Sequence, residues 1–150
     1  MKSDNSDLPM PDAGAAPIAK LSTSKPLVVV YACSGCSDAG ELADRIARRL
    51  TREGATEMSC LAGIGGRVKS LVRKAANAER ILVVDGCTLN CAAHTLQLAG
   101  FEIFDHLELH KIGFRKGSCP VSDERIAAGV DAAKKLISQD PPSGPANPAS

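Results

Sequence analysis

Aromatic side chains are scarce in this 150-residue chain, which has no tryptophan, one tyrosine and three phenylalanines. So few rings cannot build a stacking platform for single-stranded bases. An excess of one charge is also lacking: 18 lysines and arginines face 17 acids, for a formal charge of +1. That excludes duplex DNA or an anionic membrane as a dominant electrostatic partner. Long hydrophobic runs are absent too. The apolar runs at 26–32 and 81–86 are strand-sized, far below the ~20 residues that span a bilayer. The first residues carry Lys2, Asp4 and Asp7 with no apolar stretch behind them, unlike a secretory signal. The expected location is therefore the cytoplasm, with neither nucleic acid nor membrane as partner. In a reducing compartment, closely spaced thiols are more often metal ligands or redox catalysts than disulfides.

What the chain does have is six cysteines and an alternation of two kinds of segment. Residues 1–25 and 140–150 stand apart as small, polar and proline-rich, with too little apolar surface to offset chain entropy, and read as disordered tails. Between them lies one domain, 26–139, of ordinary size. A valine-rich run at 27–32 has the continuous apolar character of a strand buried on both faces. Residues 38–53 place Ala39, Leu42, Ala43, Ile46, Ala47 and Leu50 on one helical face, with acids early and arginines late. A short strand at 56–61 precedes a helix at 67–78. A strand at 80–85 and a helix at 90–99 follow, then a strand at 101–107. Ser122 caps a last helix reaching about Ser138. Repeated strand–helix units imply right-handed crossovers. The expected fold is α/β, a three-layer α/β/α sandwich with a mostly parallel, Rossmann-like sheet of about four strands, 2-1-3-4 being the common order.

On that layout Cys33 and Cys36 follow the first strand, Cys60 ends the second, and Cys87 and Cys91 follow the third. All five fall at the carboxyl edge, where open α/β sheets bind ligands. Thiolates are soft ligands, and four in a tetrahedron select zinc or an iron–sulfur centre. Both pairs sit beside helix starts, whose amides and dipole favour thiolate. A single Cys-x-x-Cys after a strand also describes a redox site; the second pair, Cys87-x-x-x-Cys91, weights the reading toward metal. Cys60 is a candidate fifth ligand, substitute ligand or resolving thiol. Cys119 is not a ligand unless its loop folds back over the site. His94 reads as a surface or supporting position, and His106 and His110 as solvated. The loop Gly63-Ile-Gly-Gly66 reads as a tight turn, and 111–117 as a solvated basic loop.

The segment Val84-Asp85-Gly86-Cys87-Thr88-Leu89-Asn90-Cys91, preceded by Cys33-Ser34-Gly35-Cys36, resembles the DGC-domain family, described as zinc-binding and named for its Asp-Gly-Cys motif. The likeness continues in Cys60-Leu-Ala-Gly63-Ile64-Gly65 and in Ile112-Gly113-Phe-Arg-Lys116-Gly117, and covers about residues 27–117. The resemblance implies a metal-binding role for Cys33, Cys36, Cys60, Cys87 and Cys91, and no established catalysis.

The leading expectation is thus a metal-binding protein, with zinc as the cofactor and the metal ion as the partner, in metal handling or sensing and not in catalysis. Asp85 would orient the turn or accept a supporting hydrogen bond. The alternatives are a thiol–disulfide or sulfur-transfer enzyme using Cys33 with Cys36 or Cys60, or an iron–sulfur redox protein.

Overall fold

Two short valine-rich segments, 28–32 and 80–85, satisfy their backbones by pairing with each other at the centre of one parallel sheet. A computed structural model describes residues 27–35, 37–144 and 147–148. The strands are β1 (Val28–Ala32), β2 (Glu57–Met58), β3 (Arg80–Asp85) and β4 (Asp105–Glu108). They lie in the order β2-β1-β3-β4, all parallel. In the longest pairing Val28 stands opposite Arg80 and Ala32 opposite Val84.

The helices are α1 (Asp38–Arg52), α2 (Leu61–Gly65), α3 (Lys69–Ala76), α4 (Cys91–Leu98) and α5 (Asp123–Ile137). Alternation along β1 divides the core. Val28, Val30 and Ala32 face α1 and α5, meeting Leu42, Ile46, Leu50 and Val130. Val29 and Tyr31 face the other layer, meeting Ile64, Ala75, Leu96 and Phe101. Full burial of each Val, Leu or Ile here contributes roughly 1.5–3 kcal/mol. The α/β/α sandwich expected from the segment pattern is therefore the observed fold.

Local signals account for the helix ends. Ser37 caps α1 by accepting from Gly40 N at 3.1 Å, and Ser122 caps α5 by accepting from Arg125 N at 3.3 Å. Gly54, just past α1, adopts φ +69°, which glycine tolerates without strain. A Cβ on Gly129 would come within 2.1 Å of Ile46 Cδ1, so the glycine gives the Ile46 side chain of α1 its room against α5.

Several expected boundaries shift. The second strand contracts to Glu57–Met58, and the segment at 61–66 is not a plain turn but the short helix α2. The fourth strand begins at Asp105, because Phe101 turns into the α4 side of the core instead of extending the strand. Arg80 clamps this edge: its guanidinium grips both oxygens of Asp105 at 2.5 and 2.8 Å and reaches the carbonyls of Leu136, Ile137 and Gln139 at the end of α5. The tail expected over 1–25, and Cys36, lie outside the described residues. In the stretch expected as a C-terminal tail, Asn147 accepts from Glu102 N and Ile103 N and donates to Ile103 O, at 2.9–3.1 Å.

Candidate metal centre

The chain leaves β1 for β2 on one side and returns to β3 on the other, so the strand order reverses between β1 and β3. In an open α/β sheet, ligands bind at such a switch point, at the carboxyl edge. Cys33 sits on it, extending the ladder by one bond from its N–H to Val84 O at 2.9 Å. Its sulfur accepts the N–H of Gly86 at 3.1 Å, which ties the first cysteine loop to the Asp-Gly-Cys turn. Cys33 is half-buried and within electrostatic reach of Asp85, Cys87 and Cys91.

Burial pushes the Cys33 thiol up to about 11; the Gly86 N–H opposes this, while the neighbouring Asp85, Cys87 and Cys91 add to it. The expectation that helix starts make this a ready thiolate is corrected on that point. Loss of solvation outweighs the Gly86 N–H, so burial favours the thiol over the thiolate at Cys33.

Each residue of the Asp-Gly-Cys turn has a separable task. Asp85 is 1% exposed and accepts from Ala92 N at 2.9 Å and Ala93 N at 3.0 Å. These are the free amides of the first turn of α4, so Asp85 caps from β3 the helix that begins with Cys91. Asn90, at the cap position itself, adopts the left-handed conformation (φ 48°) and donates to Glu108 at 3.1 Å instead. His106 Nε2 completes the carboxylate at 2.9 Å. Burial would raise the Asp85 pKa, but His106 and the two amides hold it below the usual carboxylate range. Asp85, expected to orient the turn or accept a supporting hydrogen bond, thus takes three bonds, and His106, expected to be solvated, is bonded to a buried acid. Gly86 is needed for space: a Cβ there would meet Ala39 O at 2.4 Å and Ala39 C at 2.6 Å, at the start of α1. Cys87, half-buried, then emerges from the turn, and Cys91 is exposed.

Cys60 lies on the flank. Its sulfur caps α2, accepting from Gly63 N at 3.4 Å. It lines an open cleft of about 490 Å³ with Ala32 and Ser34, which places it beside the loop after Cys33. Cys119 does return to this edge. Asp38, in the first turn of α1, accepts from Gly117 N at 2.8 Å and Cys119 N at 2.9 Å, docking the 113–119 loop there with Cys119 buried. Those bonds bring the Asp38 pKa down to about 2. His94 is exposed, and His110 lies 4.0 Å from Glu108.

The structure thus gathers Cys33, Cys87 and Cys91 around one turn with Cys60 nearby, while Cys36 lies outside the described residues. Among the described residues, no three His, Cys, Asp or Glu side chains stand close enough to hold one ion. The thiols are a donor set suited to a soft metal. Asp38, His106 and Gly86 were missed as supports; for Gly86 and Asp38 the only sequence signal is their adjacency to cysteine motifs.

The sequence model of the DGC domain matches residues 29–133. The chain belongs to the DGC-domain family. It is also 46% identical over 97 residues to the anaerobic and virulence modulator AnvM of Pseudomonas aeruginosa, an alignment covering 63% of this chain and 72% of that protein. No solved structure matches it. Among the described residues, no helix of this DGC protein is long and apolar enough to cross a membrane.

Proposed function

We propose that this DGC protein binds a metal ion, zinc, through Cys33, Cys36, Cys87 and Cys91, with Cys60 as an exchangeable fifth thiol, and serves metal handling or sensing. The observation that carries the reading is the Cys33 sulfur at the switch point, bonded to the amide between Asp85 and Cys87, with two further thiols in electrostatic reach. A divalent ion would replace the lost solvation, displace the thiol protons and draw the ligands together, so that binding and local ordering are coupled. The Gly86 amide would remain as an N–H···S bond steadying one ligand.

Two observations favour a regulatory role over turnover. The high Cys33 pKa is ill suited to a thiol–disulfide nucleophile, which needs a ready thiolate. The relative is named as an anaerobic and virulence modulator, a regulatory description. A thiolate site with an exchangeable ligand responds to metal supply or to oxidants.

Anaerobic purification followed by elemental analysis and an optical spectrum tests the reading. It expects about one zinc per chain and no visible absorption. Visible charge-transfer bands with iron and sulfide would replace zinc by a cluster. Cys87→Ser should remove most of the metal; unchanged metal content in that variant would overturn the two-pair site.

A further inference from the structure

A second hollow lies at the other end of α4, about 10 Å along the helix from Cys91 at 1.5 Å per residue. It encloses about 320 Å³, at the small end of ligand pockets. Its floor is apolar, formed by the wholly buried Phe101 with Val72 and Ala76 of α3, and Pro148 supplies one wall. Its rim is cationic: Arg67, Lys69 and Arg73, with no carboxylate among the lining residues.

The charge arrangement is unfavourable as it stands. Lys69 opens α3, at the positive end of the helix dipole, and Arg73 lies one turn along on the same face. The first turn of α3 contains no acid, and Val68 offers no side-chain cap. On α1, by contrast, Arg45, Arg48 and Arg49 each pair with an acid four residues away. None of Arg67, Lys69 or Arg73 has a carboxylate partner among the described residues. Arg67 is held at φ 56°, a strained setting for a side-chain-bearing residue, and its guanidinium is taken up by the carbonyls of Ile64 and Leu98. That leaves Lys69 and Arg73 over an apolar floor with no carboxylate partner among the described residues.

From this juxtaposition we infer that the hollow binds a small amphiphilic monoanion, a carboxylate carried on a short apolar body. The carboxylate lies between Lys69 and Arg73, whose fork matches two oxygens. The apolar body covers Val72, Ala76 and Phe101. One carboxylate can reach both cations through its two oxygens, and the mostly apolar lining disfavours a fully hydrated dianion.

Calorimetric titration of the intact protein tests this with four probes: octanoate, octanol, acetate and inorganic phosphate. Octanoate should bind saturably at one site, at least tenfold more tightly than each of the others. Its affinity should fall at least tenfold in Lys69→Glu/Arg73→Glu, and fall several-fold between low and high salt. Ala76→Phe, which fills the floor while keeping both charges, should abolish binding and provides an independent arm should the charge reversal unfold the chain. Cys87→Ser should leave octanoate binding unchanged, separating this hollow from the metal site. Octanol or phosphate binding as tightly as octanoate, no saturable octanoate binding, or undiminished binding in Ala76→Phe would overturn the proposal.

Discussion

Replacing Asp85 by asparagine changes one oxygen to an amide and should be among the most damaging conservative substitutions in this chain. The carboxylate is buried and serves three donors: Ala92 N, Ala93 N and His106 Nε2. An asparagine has one acceptor oxygen and a donor NH2, so whichever way it turns, donor faces donor on at least one side. The remaining bond also loses its charge assistance. A hydrogen bond to a charged group contributes about 1.5–3 kcal/mol, and loss of a helix cap costs about 1 kcal/mol. The expected cost is therefore about 2–4 kcal/mol, a large share of the ~5–15 kcal/mol that holds a domain together. For a domain of this size that is roughly a 10 °C fall in Tm. Urea unfolding of the reduced, metal-free protein, followed by far-UV circular dichroism, measures it. Amide exchange supplies the local readout: Ala92 and Ala93 should lose protection before the core strands do. A change below about 0.5 kcal/mol would refute the capping argument, because surface substitutions produce that much. So would a full loss of stability with the two amides still protected.

Gly86→Ala forces a methyl against the Ala39 carbonyl and should cost about 1–3 kcal/mol by urea unfolding, with metal affinity falling alongside. Arg80→Ala strands the buried Asp105 carboxylate between β4 and the end of α5; chemical denaturation should show a loss of about 3–5 kcal/mol, and near-neutral stability would mean that Asp105 finds solvent. In the metal-free protein at pH 7.5, iodoacetamide mapped by mass spectrometry should modify the exposed Cys60 and Cys91 well before Cys33; reaction first at Cys33 would show it to be a thiolate. Asp38→Ala should release the 113–119 loop, read as faster tryptic cleavage at Arg115 and Lys116. Because folding lowers the Asp38 pKa, its latch is complete above the unfolded carboxylate value of about 3.9. It is lost only as pH falls through about 2, so wild-type cleavage should be the same at pH 5 and pH 8 once corrected for protease activity.

Strong periodicity is legible in the amino-acid sequence alone. The third strand was expected at 80–85 and lies at Arg80–Asp85, and the first and last helices run within a residue or two of their expected spans. These segments carry their own caps and enough buried apolar residues to dominate the local choice. Weakly periodic segments were not legible. In 56–66 and 101–108 neither the strand nor the helix pattern wins alone, and packing decides: Ile64 and Phe101 are drawn into the layer beneath α4, which shortens β2 and β4.

The candidate site divides along the same line. The amino-acid sequence by itself determined that Cys33, Cys60 and Cys87 follow strands, that those strands are parallel, and hence that these thiols lie at one edge, because alternating strand–helix units admit little else. Only the tertiary structure decided what surrounds them. Asp85 reaches forward to cap α4, His106 arrives from the neighbouring strand, and the loop bearing Cys119 returns 81 residues later to Asp38. Gly86 and Ala39 come into contact through the packing of α1 on the sheet. Such contacts join groups far apart in the chain through directional bonds and close approaches, for which local periodicity leaves no mark. The same holds for Cys33, whose proton is held by burial that the folded layers create.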